Sequence, residues 1–471
     1  MNETLDVAII GAGSAGLAAL REVRKHTQRF VIINDGAWGT VCARVGCMPS
    51  KTLIEAANAF HRRNTFAEFG IQGADSLACD IPAVLRRVRR LRDDFVASTV
   101  KTTQDLGKRA ISGRARLLAP GRLEVNGQEL RAHNIIIATG SGPIVLKSWD
   151  TLGERLLTTD NLFEQETLPS RIAVLGMGPI GIEMAQALSR LGIEVVGFGS
   201  NQTIAGLTDP QVNAAAIELL EREFSLNLGE KAEVTAVSDG LKVRAGSTEA
   251  VVDSVLAALG RHPNISNLGL EALGIPLDEH GMPPVNPDTM QVADLRIFMA
   301  GDANDQAPIL HEAADDGHIA GFNAMRSVPV CFARRIPLAI VFADPNIVAV
   351  GSRYQALDST KTLVGGINFD RQGRARTGQR NKGMLRIYAE AESGRLLGAE
   401  MCAPAGEHMA HLLALAIGRS LTVQELLRMP FYHPVLEEGL RTALRTLAAQ
   451  LPAGSESDLS TCGEFNMEAL D

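Results

Sequence analysis

Aromatic residues are scarce in this chain: 2 Trp, 3 Tyr and 15 Phe, or 4% of 471 positions. A surface that stacks nucleic-acid bases on aromatic rings is therefore not expected. Nor does charge of one sign dominate. Lys and Arg number 46 against 54 Asp and Glu, a formal net charge of −8, which aids solubility and gives a polyanion no reason to bind. No apolar run reaches the roughly 18 residues of a membrane-spanning helix. The apolar start LDVAIIGAGSAG lacks a basic leader and runs into a glycine turn, so it reads as a buried strand and not as a signal peptide. Cysteine is sparse as well, with six, at 42, 47, 79, 331, 402 and 462. Only the first two are close, which speaks against a secreted disulfide scaffold and makes the cytoplasm the expected compartment.

Glycine, by contrast, is plentiful at 45 residues, and it marks a repeat. Near the N-terminus DVAII leads into Gly11-Ala-Gly13-Ser14-Ala15-Gly16, followed by the helical pattern LAALREVRK and a second apolar run, FVII. Later RIAVL leads into Gly176-Met-Gly178-Pro179-Ile180-Gly181, then IEMAQALSRLG and EVVGF. The offset from the first glycine to the end of the second strand is 23 in both copies (34 − 11 and 199 − 176). One GxGxxG is weak evidence; two in βαβ context and in the same register are strong. Glycines let the backbone approach a pyrophosphate, and the helix N-terminus offers unpaired N–H groups. The alternative is a glycine turn that binds nothing. Two such units suit two dinucleotides, FAD and NAD(P), in an α/β fold with two Rossmann-like domains. At this length two to four domains are expected.

Between the repeats, RAHNIIIATGSGP (131–143) predicts a strand closing in Ala-Thr139-Gly140, and DSVLAALGRHPN (253–264) offers a second version containing Gly260. LRIFMAGDAN predicts a strand closing in Gly301-Asp302 before a helix. There Asp302 either places a carboxylate beside a ligand or caps the helix. From about Ile336 strand-like and helix-like stretches alternate without a glycine fingerprint, which predicts a separate α+β domain. The final PAGSESDLSTCGEFNMEALD is polar and acidic and predicts a mobile tail.

The segment GTVCARVGCMPSK holds the candidate chemistry. Five residues of straight helix rise about 7.5 Å, too far for Cys42 and Cys47 to bridge. They can bridge if the first turn is irregular, a freedom that Gly46 supplies. Cys47 then lies near a helix N-terminus, where the dipole favours a thiolate. Two zinc ligands or two unrelated buried thiols are the other readings. No second cysteine pair or close histidine completes a zinc site, and no metal is expected.

On these motifs, with a C-terminal Phe-Tyr-His433-Pro-Val-Leu-Glu-Glu438, the sequence over about residues 4–450 resembles the pyridine nucleotide–disulfide oxidoreductases, and among them most of all the dihydrolipoamide dehydrogenases. The resemblance implies an FAD domain over 1–148 and 265–334, an NAD(P) domain over 149–264 and a dimerisation domain over 335–450, with 451–471 as the tail. It implies that Cys47 lies against the flavin and Cys42 exchanges with substrate. Lys51 would sit near the flavin, paired with Glu183, and His433, oriented by Glu438, would serve as base in the active site of the other subunit of a homodimer. A base is needed because thiolates, not thiols, attack disulfides. Taken alone, His433 reads as a surface or capping histidine, and Lys51 as a solvated helix-start lysine.

FAD contacts are implied for Gly11, Gly13, Ser14, Ala15, Gly16, Asn34, Asp35, Lys51, Ala115, Thr139, Gly140, Asp302 and Leu310. NAD(P) contacts are implied for Gly176, Gly178, Pro179, Ile180, Gly181, Gly199, Val237 and Gly260. Several positions depart from the family pattern. Asn34 stands where a glutamate usually meets the FAD ribose, with Asp35 as a substitute, and Val41 and Val435 each replace a threonine. Gly199 stands where NAD-specific members carry a glutamate, yet the following Ser-Asn-Gln provides no arginine for a 2′-phosphate. The coenzyme is therefore open between NAD and NADP, with NAD preferred.

The expected activity is oxidation of dihydrolipoamide to lipoamide. A C-terminal cysteine pair of the mercuric reductase kind is missing, and the box reads Pro-Ser-Lys51, not the Pro-Lys-Lys usual in glutathione reductases. A small disulfide or dithiol is the expected substrate, free or borne by a lipoyl protein. An NAD(P)H-dependent reductase of another small disulfide, quinone or metal ion is the nearest alternative, and a catalytically silent flavoprotein subunit is the alternative of another class.

Overall fold

A computed structural model describes residues 3–451 together with Leu459; the rest of the predicted tail, Cys462 included, lies outside the described residues. The described residues divide into two compact units, those of 1–55, 80–168 and 256–334 in the first, and those of 56–79, 169–255 and 335–471 in the second.

The first unit is built on a parallel sheet. Strand β1 (Leu5–Ile10) pairs on one side with β2 (Phe30–Asn34), in register from Val7↔Phe30 to Ile10↔Ile33. On the other side it pairs with the end of the strand Gln128–Ile137, which in turn pairs with Ile297–Met299. These strands are apolar on consecutive residues, as a sheet covered on both faces requires. Val7, Ile9, Ile32, Ile136 and Phe298 pack in one cluster, and Ala8, Ile10, Ile33, Ile135 and Ile137 pack in another. Helix α1 (Ser14–Val23) follows β1 and lies along the helix Leu310–Ala324. The approach is so close that a Cβ at Gly317 would fall 2.1 Å from the Ala15 carbonyl oxygen, and one at Gly321 2.6 Å from that of Ala19. Helix α2 (Val41–Arg44) and helix α3, which starts at Cys47 and runs to His61, come after β2.

The second unit repeats the motif. Strands Arg171–Leu175, Glu194–Gly199 and Ser225–Leu228 are parallel neighbours, and the helix Pro179–Arg190 joins the first two. An antiparallel meander follows over 233–252. The C-terminal part is an antiparallel sheet in the order Leu338–Val341, Asn346–Gly351, Leu396–Ala403, Met384–Glu390, Thr362–Asn368. Its core of Val348, Leu385, Ile387 and Met401 is covered by Leu413 and by Leu440, Leu444 and Leu447. The last three recur at helical spacing and bury one face of the helix Glu438–Ala448. Among the described residues no helix is long and apolar enough to cross a membrane.

Candidate active site

The cysteine turn is a helix interrupted at the point the spacing demands. Thr40 caps α2, its Oγ1 accepting from the Ala43 N–H at 3.1 Å. The helix stops at Val45, whose φ of −134° is not helical. Gly46 then folds back over the first cysteine, so closely that a Cβ there would lie 3.1 Å from both the Cys42 Cα and the Val41 carbonyl oxygen. Its own carbonyl accepts from Ser50 N–H at 3.2 Å, which starts α3 at Cys47. Both cysteines are only partly buried. Their side chains are hydrogen-bonded, and that bond, followed by burial and by repulsion from negative charge on Cys47, pushes the Cys42 thiol far above the usual range. Lys51, one turn into α3, pulls the other way. The hydrogen bond places the two sulfurs within reach of each other, as a pair that exchanges disulfides requires.

The first fingerprint forms an open cradle. Gly11 has φ +109°, and any Cβ on it would strike the Ala138 carbonyl oxygen at 2.0 Å; one on Gly16 would strike the Gly11 carbonyl oxygen at 1.9 Å. Gly13, by contrast, has nothing within 4 Å of where a Cβ would be, and it starts α1 with no side-chain cap. Free N–H groups beside empty space are what an anionic ligand needs. Asn34 braces this loop: its Oδ1 accepts from Ala12 N–H at 3.2 Å while its Nδ2 donates to the Gly36 and Ala37 carbonyls. Asp35 next to it is exposed, 4.0 Å from Arg114. Ala115 is buried and paired with Val125.

Thr139, at the end of the central strand, has a buried Oγ1 with no hydrogen-bond partner in the protein. Such an atom is costly unless a ligand satisfies it. Gly140 follows, its carbonyl accepting from Asn264 N–H. Asp302 lies in the turn Gly301–Asn304, whereas the following helix is capped by Ile309, so Asp302 is not its N-cap. Leu310 opens that helix and is 47% exposed. Gly301, at φ +69°, brings this turn against Ala15 of the fingerprint, where a Cβ would come within 2.9 Å of Ala15 Cβ. Crowding at Gly11 and Gly16, open space at Gly13 and the orphaned Thr139 hydroxyl together fit a dinucleotide such as FAD. Ser141, which donates to Asp302, and Arg261, which donates to Ser141, lie in segments singled out from the sequence, but nothing in the sequence itself pairs them.

In the second unit Gly178 likewise starts its helix with open space beside it and no side-chain cap, followed by Pro179 and Ile180 in the first turn. Gly181 is buried in that helix. Gly199 ends the second strand under Met177 and Leu228: a Cβ would lie 2.8 Å from Leu228 Cδ2. Val237 closes the first strand of the meander. Gly260, in the first unit, accepts from Ile144 N–H. Glu183 is buried, and its Oε1 accepts from Phe342 N–H at 2.9 Å. His433 points outward with a side chain 80% exposed, while its Nδ1 meets Glu438 Oε1 at 2.9 Å. Glu438 Oε2 also accepts from Val435 N–H. The hydrogen bond with His433 is the main cause holding the Glu438 carboxyl below its ordinary range. A carboxylate on one ring nitrogen fixes the tautomer and leaves the other to take a proton. Among the described residues no group of three or more His, Cys, Asp or Glu side chains is placed to hold a metal.

Compared with known proteins, residues 5–317 match the pyridine nucleotide-disulphide oxidoreductase family, and residues 337–444 match its dimerisation domain. Dihydrolipoyl dehydrogenase of Thermus scotoductus is 31% identical over 95% of this chain and 98% of its own. Mercuric reductase of Shigella flexneri is 30% identical over 94% and 80%. Among solved structures, LpdA from Mycobacterium tuberculosis superposes with a TM-score of 0.81 at 26% identity, covering 94% of this chain and 99% of that one. The flavoprotein disulfide reductase RclA from Escherichia coli, in a Cu(II) complex, has the same fold, with a TM-score of 0.83 at 22% identity over 94% and 99%.

Proposed function

Since this chain belongs to the pyridine nucleotide-disulphide oxidoreductases, flavoenzymes that use FAD and NAD(P), we propose that it oxidises dihydrolipoamide to lipoamide with NAD as acceptor through Cys42 and Cys47. The observation that carries this reading is the turn in which Gly46 folds over Cys42 and sets the two sulfurs in hydrogen-bonding contact.

In the oxidised pair, a substrate thiolate attacks Cys42 Sγ, and Cys47 leaves as the thiolate. The second substrate sulfur then attacks the first, closing the lipoamide ring and releasing Cys42. The substrate loses two electrons and the cysteine pair gains them. His433 takes the proton of the first substrate thiol, with Glu438 fixing its ring, and serves the cysteine pair of the partner subunit; the released Cys42 thiolate takes the proton of the second. Its exposure on its own chain, beside Tyr432 at 79%, supports a role across an interface. The match to the dimerisation domain supports the homodimer itself. Lys51 and Glu183 act on the cofactor side of the pair. FAD, when bound, supplies the two-electron relay between the cysteines and the nicotinamide.

The FAD would be held by Gly11, Gly13, Ser14, Ala15 and Gly16, with Asn34, Asp35, Lys51, Ala115, Thr139, Gly140, Asp302 and Leu310. The nucleotide would be held by Gly176, Gly178, Pro179, Ile180, Gly181, Gly199, Val237 and Gly260. The domain division is that read from the sequence, with FAD on 1–148 and 265–334 and the nucleotide on 149–264.

Relatives of similar identity include mercuric reductases, so reduction of a metal ion with NADPH is the second reading. Steady-state rates of the purified holoenzyme separate the two. Dihydrolipoamide with NAD should give rapid NADH formation. No NADH from this pair, together with Hg(II)-dependent NADPH oxidation, would refute the lipoamide assignment.

A further inference from the structure

We propose that Arg261 and Ser141 form a positioning relay that aims the Asp302 carboxylate at the cofactor. This rests on the reading of Asp302 as an FAD-binding residue and adds the two side chains that set it. The short strands Ser141–Pro143 and Arg261–Pro263 pair antiparallel, with Pro263 opposite Ser141, which joins residues 120 positions apart. Arg261 donates twice to one residue: Nε to Ser141 Oγ at 2.8 Å, and Nη2 to the Ser141 carbonyl oxygen at 2.6 Å.

A guanidinium has only donors, so the hydroxyl meets it as an acceptor and must direct its own proton elsewhere. That proton points to Asp302 Oδ2, 2.5 Å away. Ser141 is 6% exposed, so water competes little for the hydroxyl. The chain of donors therefore runs one way, from Arg261 through Ser141 to Asp302, each bond polarising the next. It also leaves Oδ1 as an acceptor for a hydroxyl of the ligand.

The turn beneath is held separately. Asp316 Oδ2 accepts from Gly301 N–H at 3.0 Å and from Asn304 Nδ2 at 2.9 Å, and Arg334 pairs with both Asp316 and Glu312. One set of contacts fixes the backbone of the turn and the other fixes the carboxylate rotamer. Removing the Ser141 hydroxyl should therefore free the carboxylate and leave the turn in place.

The test measures the rate of FAD release from the holoenzyme, by the rise in flavin fluorescence, together with the flavin midpoint potential. Ser141→Ala should speed release about tenfold, the scale of one hydrogen bond to a charged group, and should shift the potential. Ser141→Thr, which keeps the hydroxyl, should restore both. Arg261→Lys, which keeps the charge but not the forked geometry, should fall with Ser141→Ala. The double variant S141A/D302N should release FAD no faster than Asp302→Asn alone. Unchanged release from Ser141→Ala, or a double variant whose effect is the product of the two singles, overturns the relay while leaving the Asp302 assignment intact. Unchanged release from Asp302→Asn overturns that assignment and the relay with it.

Discussion

Replacing Gly317 by alanine tests whether the helix pair α1 and Leu310–Ala324 holds the first fingerprint in shape. Two effects oppose each other. Alanine is the better helix former by about 0.8–1.0 kcal/mol, so in open space the change would stabilise. Here the new Cβ would lie 2.1 Å from the Ala15 carbonyl oxygen and 2.8 Å from its carbonyl carbon and Cα, where ordinary contact begins at 3.4 Å. The shortfall is about 1.3 Å against backbone, which cannot rotate away as a side-chain tip can. Overpacking of this kind costs about 1–3 kcal/mol, occasionally more, and a backbone obstacle places it at or above the upper end. The clash therefore wins, leaving a net loss of about 2 kcal/mol after the propensity gain.

Because the atom struck belongs to Ala15, the displacement passes into the turn that Gly11, Gly13 and Gly16 shape. FAD release should accelerate along with the drop in stability. Gly373→Ala is the control, since a Cβ there meets nothing within 4 Å. It should leave both quantities unchanged or slightly improve stability. The assay is thermal unfolding of the holoenzyme followed by flavin fluorescence, with release rates measured well below the transition. If Gly317→Ala melts at the wild-type temperature and keeps its flavin equally long, the close packing described above is not what supports the cradle.

Further outcomes follow from the same geometry. Cys42→Ser should abolish dithiol oxidation, by at least about a thousandfold, while the flavin stays bound at a normal ratio by absorbance; turnover near wild type would remove Cys42 from the exchange. Glu438→Gln should lower kcat/KM for dihydrolipoamide by about ten- to a hundredfold, and unaltered kcat/KM would show that the carboxylate does not orient His433. The folded Glu438 carboxyl lies below its ordinary value of 4.5. Its stabilising effect is thus present above that value and lost as pH falls through the lower folded one. A stability gap between wild type and Glu438→Gln should accordingly exist at neutral pH and close in acid; a gap that widened in acid would contradict this sign. Gly199→Glu alone should destabilise, since its Cβ would crowd Leu228 Cδ2 at 2.8 Å. Combined with Leu228→Ala it should raise the preference for NAD over NADP about tenfold, read from the two kcat/KM values; an equal gain from the single change would show that Leu228 moves aside freely.

The features legible in the sequence were those whose cause is local. The glycines of the two fingerprints are dictated by contacts within a few residues or with the adjoining strand, so spacing alone marks them. The same holds for Cys42 and Cys47, whose five-residue separation already requires the helix to break, whereas the contact of His433 with Glu438 is implied by the family resemblance and not by spacing. What remained hidden depends on partners far along the chain. Arg261 reaches Ser141 only through a two-strand pairing between segments 120 residues apart. The brace that Asn34 gives to Ala12 of the fingerprint turn, 22 residues earlier, is another example. Asp302 stood between two readings because the turn Gly301–Asn304 that holds it is set by tertiary packing of Gly301 against Ala15 and Asp316.

The fold-back of Gly46 onto Cys42 carries a kinetic meaning. Backbone crowding, not a covalent link, keeps the two thiols side by side, so reduction does not let them drift apart. Each catalytic cycle then restarts from one arrangement, and bond reclosure proceeds at the high effective concentration of a preset intramolecular pair.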